Sequence, residues 1–182
     1  MDKKRYTLAV LVDNQSGVLS QVSRWFSRKG FNIESLAVGT TENPKISRIT
    51  IEVRTEERAI NLLCNQLRKL FPVHSVKLLE ADHAIRRELV LIKVRAEDGV
   101  ARSEIIQIAN IFRATIIDVS SASLTLAVIG EEGKTDAIEK LVESHGILEL
   151  VRTGVVALER GAYTLDEDTK EKGEFDYGKN VR

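Results

Sequence analysis

Tyr6-Thr7-Leu8-Ala9-Val10-Leu11-Val12 runs into Asp13-Asn14-Gln15-Ser16-Gly17 and then into Val18-Leu19-Ser20-Gln21-Val22. The change of period across this stretch decides the fold. Leu8, Val10 and Val12 alternate, as one face of a strand does. Val18, Leu19, Val22, Trp25 and Phe26 recur at helical spacing, and Gly30 supplies a C-terminal stop. The polar residues between them turn the chain.

Working outward, Asn32 to Thr41 reads as a second strand and Asn43-Pro44-Lys45 as a turn. Ile49, Ile51 and Val53 alternate with polar residues in a third strand. Ile60, Leu63, Cys64, Leu67 and Leu70 form a second helical stripe, and Val73 to Leu79 closes with a fourth strand. The order βαββαβ then repeats. Arg87 to Arg95 predicts a strand, and Ile105, Ile108, Ala109 and Phe112 a helix. Thr115 to Val119 and Leu124 to Ile129 predict two strands around a Ser-Ser-Ala turn. Ala137, Ile138, Leu141 and Val142 mark another helix, and Ile147 to Leu158 one long final strand.

The predicted fold class is therefore α+β, with two ferredoxin-like βαββαβ domains. The expected divisions are 1–80, 84–161 and a charged tail at 162–182, with Ala81-Asp82-His83-Ala84 as the joint. Right-handed crossovers put both helices of each unit on one sheet face. The other face and at least one edge are expected to lack cover within the chain, which predicts a homodimer or higher assembly.

Composition narrows the function classes. With 27 basic and 27 acidic residues there is no excess charge to neutralise phosphates, which disfavours nucleic acid. Apolar runs are too short to span a bilayer, and the start lacks a signal-peptide core. One cysteine permits no internal disulfide, so a cytoplasmic location is expected. His74, His83 and His145 do not show zinc spacing with Cys64, and no metal site is expected; Cys64 and Trp25 read as core. Arg48, Arg54 and Arg58 read as surface charge. Gly130-Glu131-Glu132-Gly133-Lys134-Thr135 ends like a phosphate loop but has two residues between its glycines instead of four, so it reads as a turn with Lys134 exposed.

Asp13-Asn14-Gln15-Ser16-Gly17-Val18-Leu19-Ser20 resembles the first-loop signature of ACT domains. Arg28-Lys29-Gly30-Phe31-Asn32-Ile33-Glu34-Ser35-Leu36 and Ser47-Arg48-Ile49-Thr50-Ile51 are similar to stretches of acetohydroxyacid (acetolactate) synthase small subunits. The second half adds Arg87 to Val94, Phe112 to Val119 and Arg152 to Gly161. The resemblance implies an N-terminal amino-acid-sensing ACT domain and a non-catalytic regulatory subunit. Its partner would be the large, catalytic subunit, in which thiamine diphosphate, Mg and FAD are expected; no cofactor is expected in this chain. The small subunit of this family activates the catalytic one and confers feedback inhibition, usually by valine, on valine, isoleucine and leucine biosynthesis. A free-standing amino-acid-binding ACT regulator is the alternative.

The resemblance places the valine site between two copies, and the residues suit a zwitterion. A helix start at Gly17 offers unpaired backbone N–H groups and a positive dipole end to a carboxylate. The side-chain oxygen of Asn14 and a backbone carbonyl near Asn32 can accept from the ammonium. Val18, Leu19 and Ile33 offer an apolar wall. The same loop also reads as an ordinary turn with Ser16 as helix cap, and Asn32 as a turn residue.

Overall fold

The structure, a computed structural model, describes residues 3–165; the expected charged tail lies outside them apart from its first four positions. Two compact units are formed. One comprises residues up to Ile85 together with the segment that begins at Ala157; the other is Arg86–Val156.

The first unit runs β1 (Lys4–Asp13), α1 (Val18–Arg28), β2 (Ile33–Thr40), β3 (Ile46–Thr55), α2 (Glu57–Leu67) and β4 (Val73–Leu79). Its sheet has the order β2-β3-β1-β4, and each neighbouring pair is antiparallel. Leu8, Val10, Ile49, Ile51 and Val76 share one face and are fully buried with Val22, Phe26, Ile60, Leu63 and Leu67 from the helices. Each such side chain contributes about 1.5–3 kcal/mol by leaving water. Trp25 meets Phe26 edge-on, with ring centroids 5.3 Å apart. Cys64 lies in this core, and burial pushes its thiol up to about 11 against the opposing pull of Arg68.

The other face of this sheet was expected to be bare. Instead Thr7, Thr50, Glu52, Ser75 and Lys77 are buried on it. The segment from Ala157 lies there: Arg48 donates from Nη2 to the Ala157 carbonyl at 2.6 Å, and Lys77 is ion-paired with Glu159. Lys77 also reaches the Thr164 carbonyl at 3.4 Å, and its ammonium stands 6.0 Å from the Tyr163 ring centre. Alternation had marked these polar residues as solvent-facing, because their covering comes from more than eighty positions away.

A 3-10 turn at Ala81–His83 leads to β5 (Ala84–Arg95), α3 (Gly99–Phe112), β6 (Thr115–Val119), β7 (Ser123–Gly130), α4 (Glu132–Val142), β8 (Ile147–Arg152) and β9 (Val156–Glu159). The second sheet has the order β6-β7-β5-β8, and β9 also pairs with β5. The long final strand expected at 147–158 is thus two strands. Gly154 breaks it with φ 77, and Thr153 is drawn to Leu89 by two bonds, N–H to the Leu89 carbonyl and Oγ1 from the Leu89 N–H, each 3.1 Å. Asp98 caps α3 by accepting from the Ala101 N–H at 2.8 Å. Leu91 stands opposite Ala127 and Val151 on the face away from the helices, where Ile129 and Val151 are more than half exposed.

Candidate functional site

The Asp13–Gly17 loop is held from two sides. The Asp13 N–H donates to the Pro72 carbonyl at 2.9 Å, and the Asp13 carboxylate meets His74 Nε2 at 2.6 Å. His74 lies within β4, which is how it reaches across to β1. Asn14 is bonded twice to the turn after β2 and once to β3. Its N–H donates to the Lys45 carbonyl at 2.7 Å, its Nδ2 to the Pro44 carbonyl at 2.8 Å, and its Oδ1 accepts from Ser47 Oγ at 3.0 Å. Asn14 therefore fixes the loop first. One lone pair of Oδ1 remains for a further donor.

Gly17 is the N-cap of α1, at φ 87 and ψ −14. That left-handed geometry strains any residue with a Cβ, so the chain uses glycine here. Ser16, expected as an alternative cap, makes no side-chain cap bond to the helix. Among the described residues no acceptor meets the backbone N–H of Leu19 or Ser20. The first turn carries no acidic side chain, so its positive end is not neutralised locally. Val18 turns inward and is 8% exposed, as part of the core; Leu19, at 41%, faces solvent beside the free N–H groups.

Asn32 and Ile33 lie at the other end. The chain leaves α1 through Gly30 at φ 74, with Gly30 N–H to Ser27 O and Phe31 N–H to Phe26 O, both 3.1 Å. Asn32 is exposed and Ile33 half-buried at the start of β2. Within one chain they do not join the loop. Asp13 pairs with Ile46, whereas Ile33 pairs with Val53, seven residues further along β3 and roughly 23 Å at strand rise. The predicted residues therefore fall into two groups at opposite ends of one unit.

The phosphate-loop-like segment is committed otherwise. Lys134, half-buried rather than exposed, folds back to donate to the Ile129 carbonyl at 2.9 Å, so close over Gly130 that a Cβ there would meet Lys134 Cδ at 2.7 Å. Thr135 is buried and bonded to Glu88 and to the Glu132 carbonyl. His145 stands 3.6 Å from Glu104. Among the described residues no three His, Cys, Asp or Glu side chains converge as metal ligands, and no helix is long and apolar enough to cross a membrane. Ser47, which holds Asn14, went unrecognised from sequence, as did the half-buried Arg48. Both sit in the matched stretch 47–51, but nothing local distinguishes them from an exposed strand face.

Residues 8–75 match the family model described as the AHAS small subunit-like ACT domain, and residues 87–161 match that of the small subunit of acetolactate synthase. The acetolactate synthase small subunit of Mycobacterium bovis is 47% identical over 163 residues, covering 88% of this chain and 95% of the relative. A probable acetolactate synthase small subunit of Methanothermobacter thermautotrophicus is 43% identical over 165 residues, covering 91% of this chain and 98% of that one. Among solved structures, the acetolactate synthase small subunit of Thermotoga maritima superposes with a TM-score of 0.82 at 34% identity, covering 88% of this chain and 99% of its own.

Proposed function

The chain belongs to the acetolactate synthase small-subunit family, and from that membership we propose that it activates a catalytic acetolactate synthase subunit and makes it subject to inhibition by valine. The reaction belongs to the catalytic partner, where thiamine diphosphate, Mg and FAD would act; the complex would work in the cytoplasm, in the synthesis of branched-chain amino acids.

The observation that carries the effector reading is the start of α1. A glycine cap, two unpaired N–H groups, an un-neutralised helix dipole and the exposed Leu19 stand together. These suit the carboxylate and the branched apolar group of a small amino acid. The ammonium needs acceptors, and the free lone pair of Asn14 is one.

The second half-site requires a second copy. β2 is an edge strand, with Val38, Gly39 and Thr40 exposed. Antiparallel pairing of two β2 strands about a twofold axis sets the Thr40 end of one beside the Ile33 end of the other. The loop at Asn14 and Gly17 in one copy then faces Asn32 and Ile33 of its partner. Valine bound across that seam favours one arrangement of the dimer over another, which is the requirement for inhibition at a distance. A ten- to hundredfold effect needs about 1.4–2.8 kcal/mol of differential binding, and a few hydrogen bonds with one buried isopropyl group supply that.

The test is reconstitution. The chain is mixed with a matched catalytic subunit, and acetolactate formation is followed with and without valine. Stimulation by the chain, with valine reversing it, is expected. A catalytic subunit indifferent to the chain would refute the regulatory role, and stimulation insensitive to saturating valine would refute the effector assignment.

A further inference from the structure

The first unit holds a second concavity, away from the helix start. Its volume is about 560 Å³, and its walls include Leu11, Ile46, Arg48, Leu158, Tyr163 and Leu165. Arg48 points from β3 on the sheet face opposite the helices, in register with Leu11 of β1 and Gly39 of β2. At Gly39 a Cβ would meet nothing within 4 Å, so the strand beside Arg48 is open.

Arg48 is under-used. A guanidinium carries five N–H donors. One nitrogen, Nη2, donates to the Ala157 carbonyl at 2.6 Å, and among the described residues Arg48 makes no ion pair. Glu159 lines the same cavity but is paired with the buried Lys77. Among the described residues that line the cavity Arg48 is the basic one, and it also feels the attraction of Glu159. Glu42, also on the rim, is exposed and acts through water, where its field is screened. The remaining wall is apolar: Leu11, Ile46 and Leu165 are partly buried and Leu158 is 53% exposed.

The geometry points to this cavity as a binding site for an amphipathic monoanion, a carboxylate on a medium-length apolar chain, held head-first by Arg48. A carboxylate takes two parallel N–H donors from a guanidinium fork. A phosphate head presents similar oxygens, but its second charge would face Glu159 and Glu42 on the same wall with one guanidinium to offset it. The chain of the ligand lies along Leu11, Ile46, Leu158 and Leu165, and each methylene it buries strengthens binding about fourfold. Neither Asn14 nor Gly17 takes part, so this site stands or falls independently of valine at the helix start.

Methyl-labelled full-length chain titrated with sodium octanoate, and followed by NMR, tests the proposal. Octanoate is expected to shift the methyl signals of Leu11, Ile46, Leu158 and Leu165 saturably. Octanamide, which lacks the charge, is expected to bind at least about tenfold more weakly, butyrate more weakly by about fourfold per missing methylene, and octyl phosphate more weakly than octanoate. Arg48→Gln removes the head contact and should abolish saturation. Because that change also breaks the bond to Ala157, Leu158→Trp serves as a second variant. It fills the cavity from an exposed position, and should weaken binding at least about tenfold while leaving the unligated melting temperature unchanged. Equal affinity for octanoate and octanamide, tighter binding of octyl phosphate, shifts confined to Val18 and Leu19, or full affinity in both variants would each overturn the assignment.

Discussion

Lys77→Met leaves the carboxylate of Glu159 buried without its ion-pair partner, with the attraction of Arg48 remaining. The two side chains are 4% and 6% exposed, so water cannot replace the lost contact. Removing one member of a buried pair costs about 3–5 kcal/mol, most of it the uncompensated charge. The contact with the Tyr163 ring adds about 0.5–1 kcal/mol. Glu159→Leu is expected to cost a similar amount, because the Lys77 ammonium keeps the Thr164 carbonyl and the Tyr163 ring but loses the Glu159 carboxylate. The double variant, with neither charge, should recover most of the loss, because an apolar pair of similar volume can match a buried ion pair. The expected coupling is therefore at least about 2 kcal/mol. Trp25 is the single tryptophan and lies in the core of the same unit, so its fluorescence during urea unfolding reports this unit specifically. Single-variant costs under about 1 kcal/mol, or costs that merely add in the double variant, would show that the segment from Ala157 does not seal the sheet.

Asn14→Ala frees the loop from Pro44 and Ser47 and removes an ammonium acceptor; calorimetry should show valine binding about tenfold weaker, and unchanged affinity would remove Asn14 from the site. Gly17→Ala forces a Cβ into left-handed geometry and should cost about 1–2 kcal/mol in urea unfolding, whereas a neutral result would mean that the loop can leave that conformation freely. Cys64 should stay unreactive toward a thiol-specific disulfide reagent at pH 8 until the chain is unfolded, because burial raises its thiol to about 11. The folded state then holds that proton more tightly than the unfolded chain, whose ordinary value is 9.0, so this group's contribution to stability falls as pH rises from about 9 to about 11. Urea midpoints measured across that interval for wild type and Cys64→Ala check the sign. Arg152→Met should cost about 3–5 kcal/mol, since Arg152 bonds the buried Glu88 at 2.8 Å while also meeting Asp136 and Glu139; thermal unfolding within a degree of wild type would contradict that.

The helix start at Gly17 was legible because its signals are local. Gly17 and the period change at Val18 fall within a few residues of each other, and the cap needs no distant partner. The placement of Asn14 was only half legible. Its acceptor oxygen was anticipated, but its bonds to Pro44 and Ser47 bridge thirty and thirty-three positions. Val18, expected with Leu19 as an apolar wall, lies in the core while Leu19 is exposed, since consecutive residues at a helix start point to different sides.

Hydrophobic period, with the right hand of the crossovers, determined that this chain folds as two βαββαβ units with helices over one face of each sheet, because strand and helix repeats are properties of neighbouring residues. It also determined that Cys64, Trp25 and Phe26 are core. Only the tertiary structure decided that Lys77 and Arg48 are covered, that the final strand breaks at Gly154, and that the segment from Ala157 returns to the first unit. The covering of Lys77 and Arg48 turns on contacts between residues about eighty to over a hundred positions apart, and the break at Gly154 on bonds between Thr153 and Leu89, sixty-four apart. A lysine on an alternating strand has the same local pattern whether it meets water or a buried glutamate, so its environment is written in the fold and not in its neighbours.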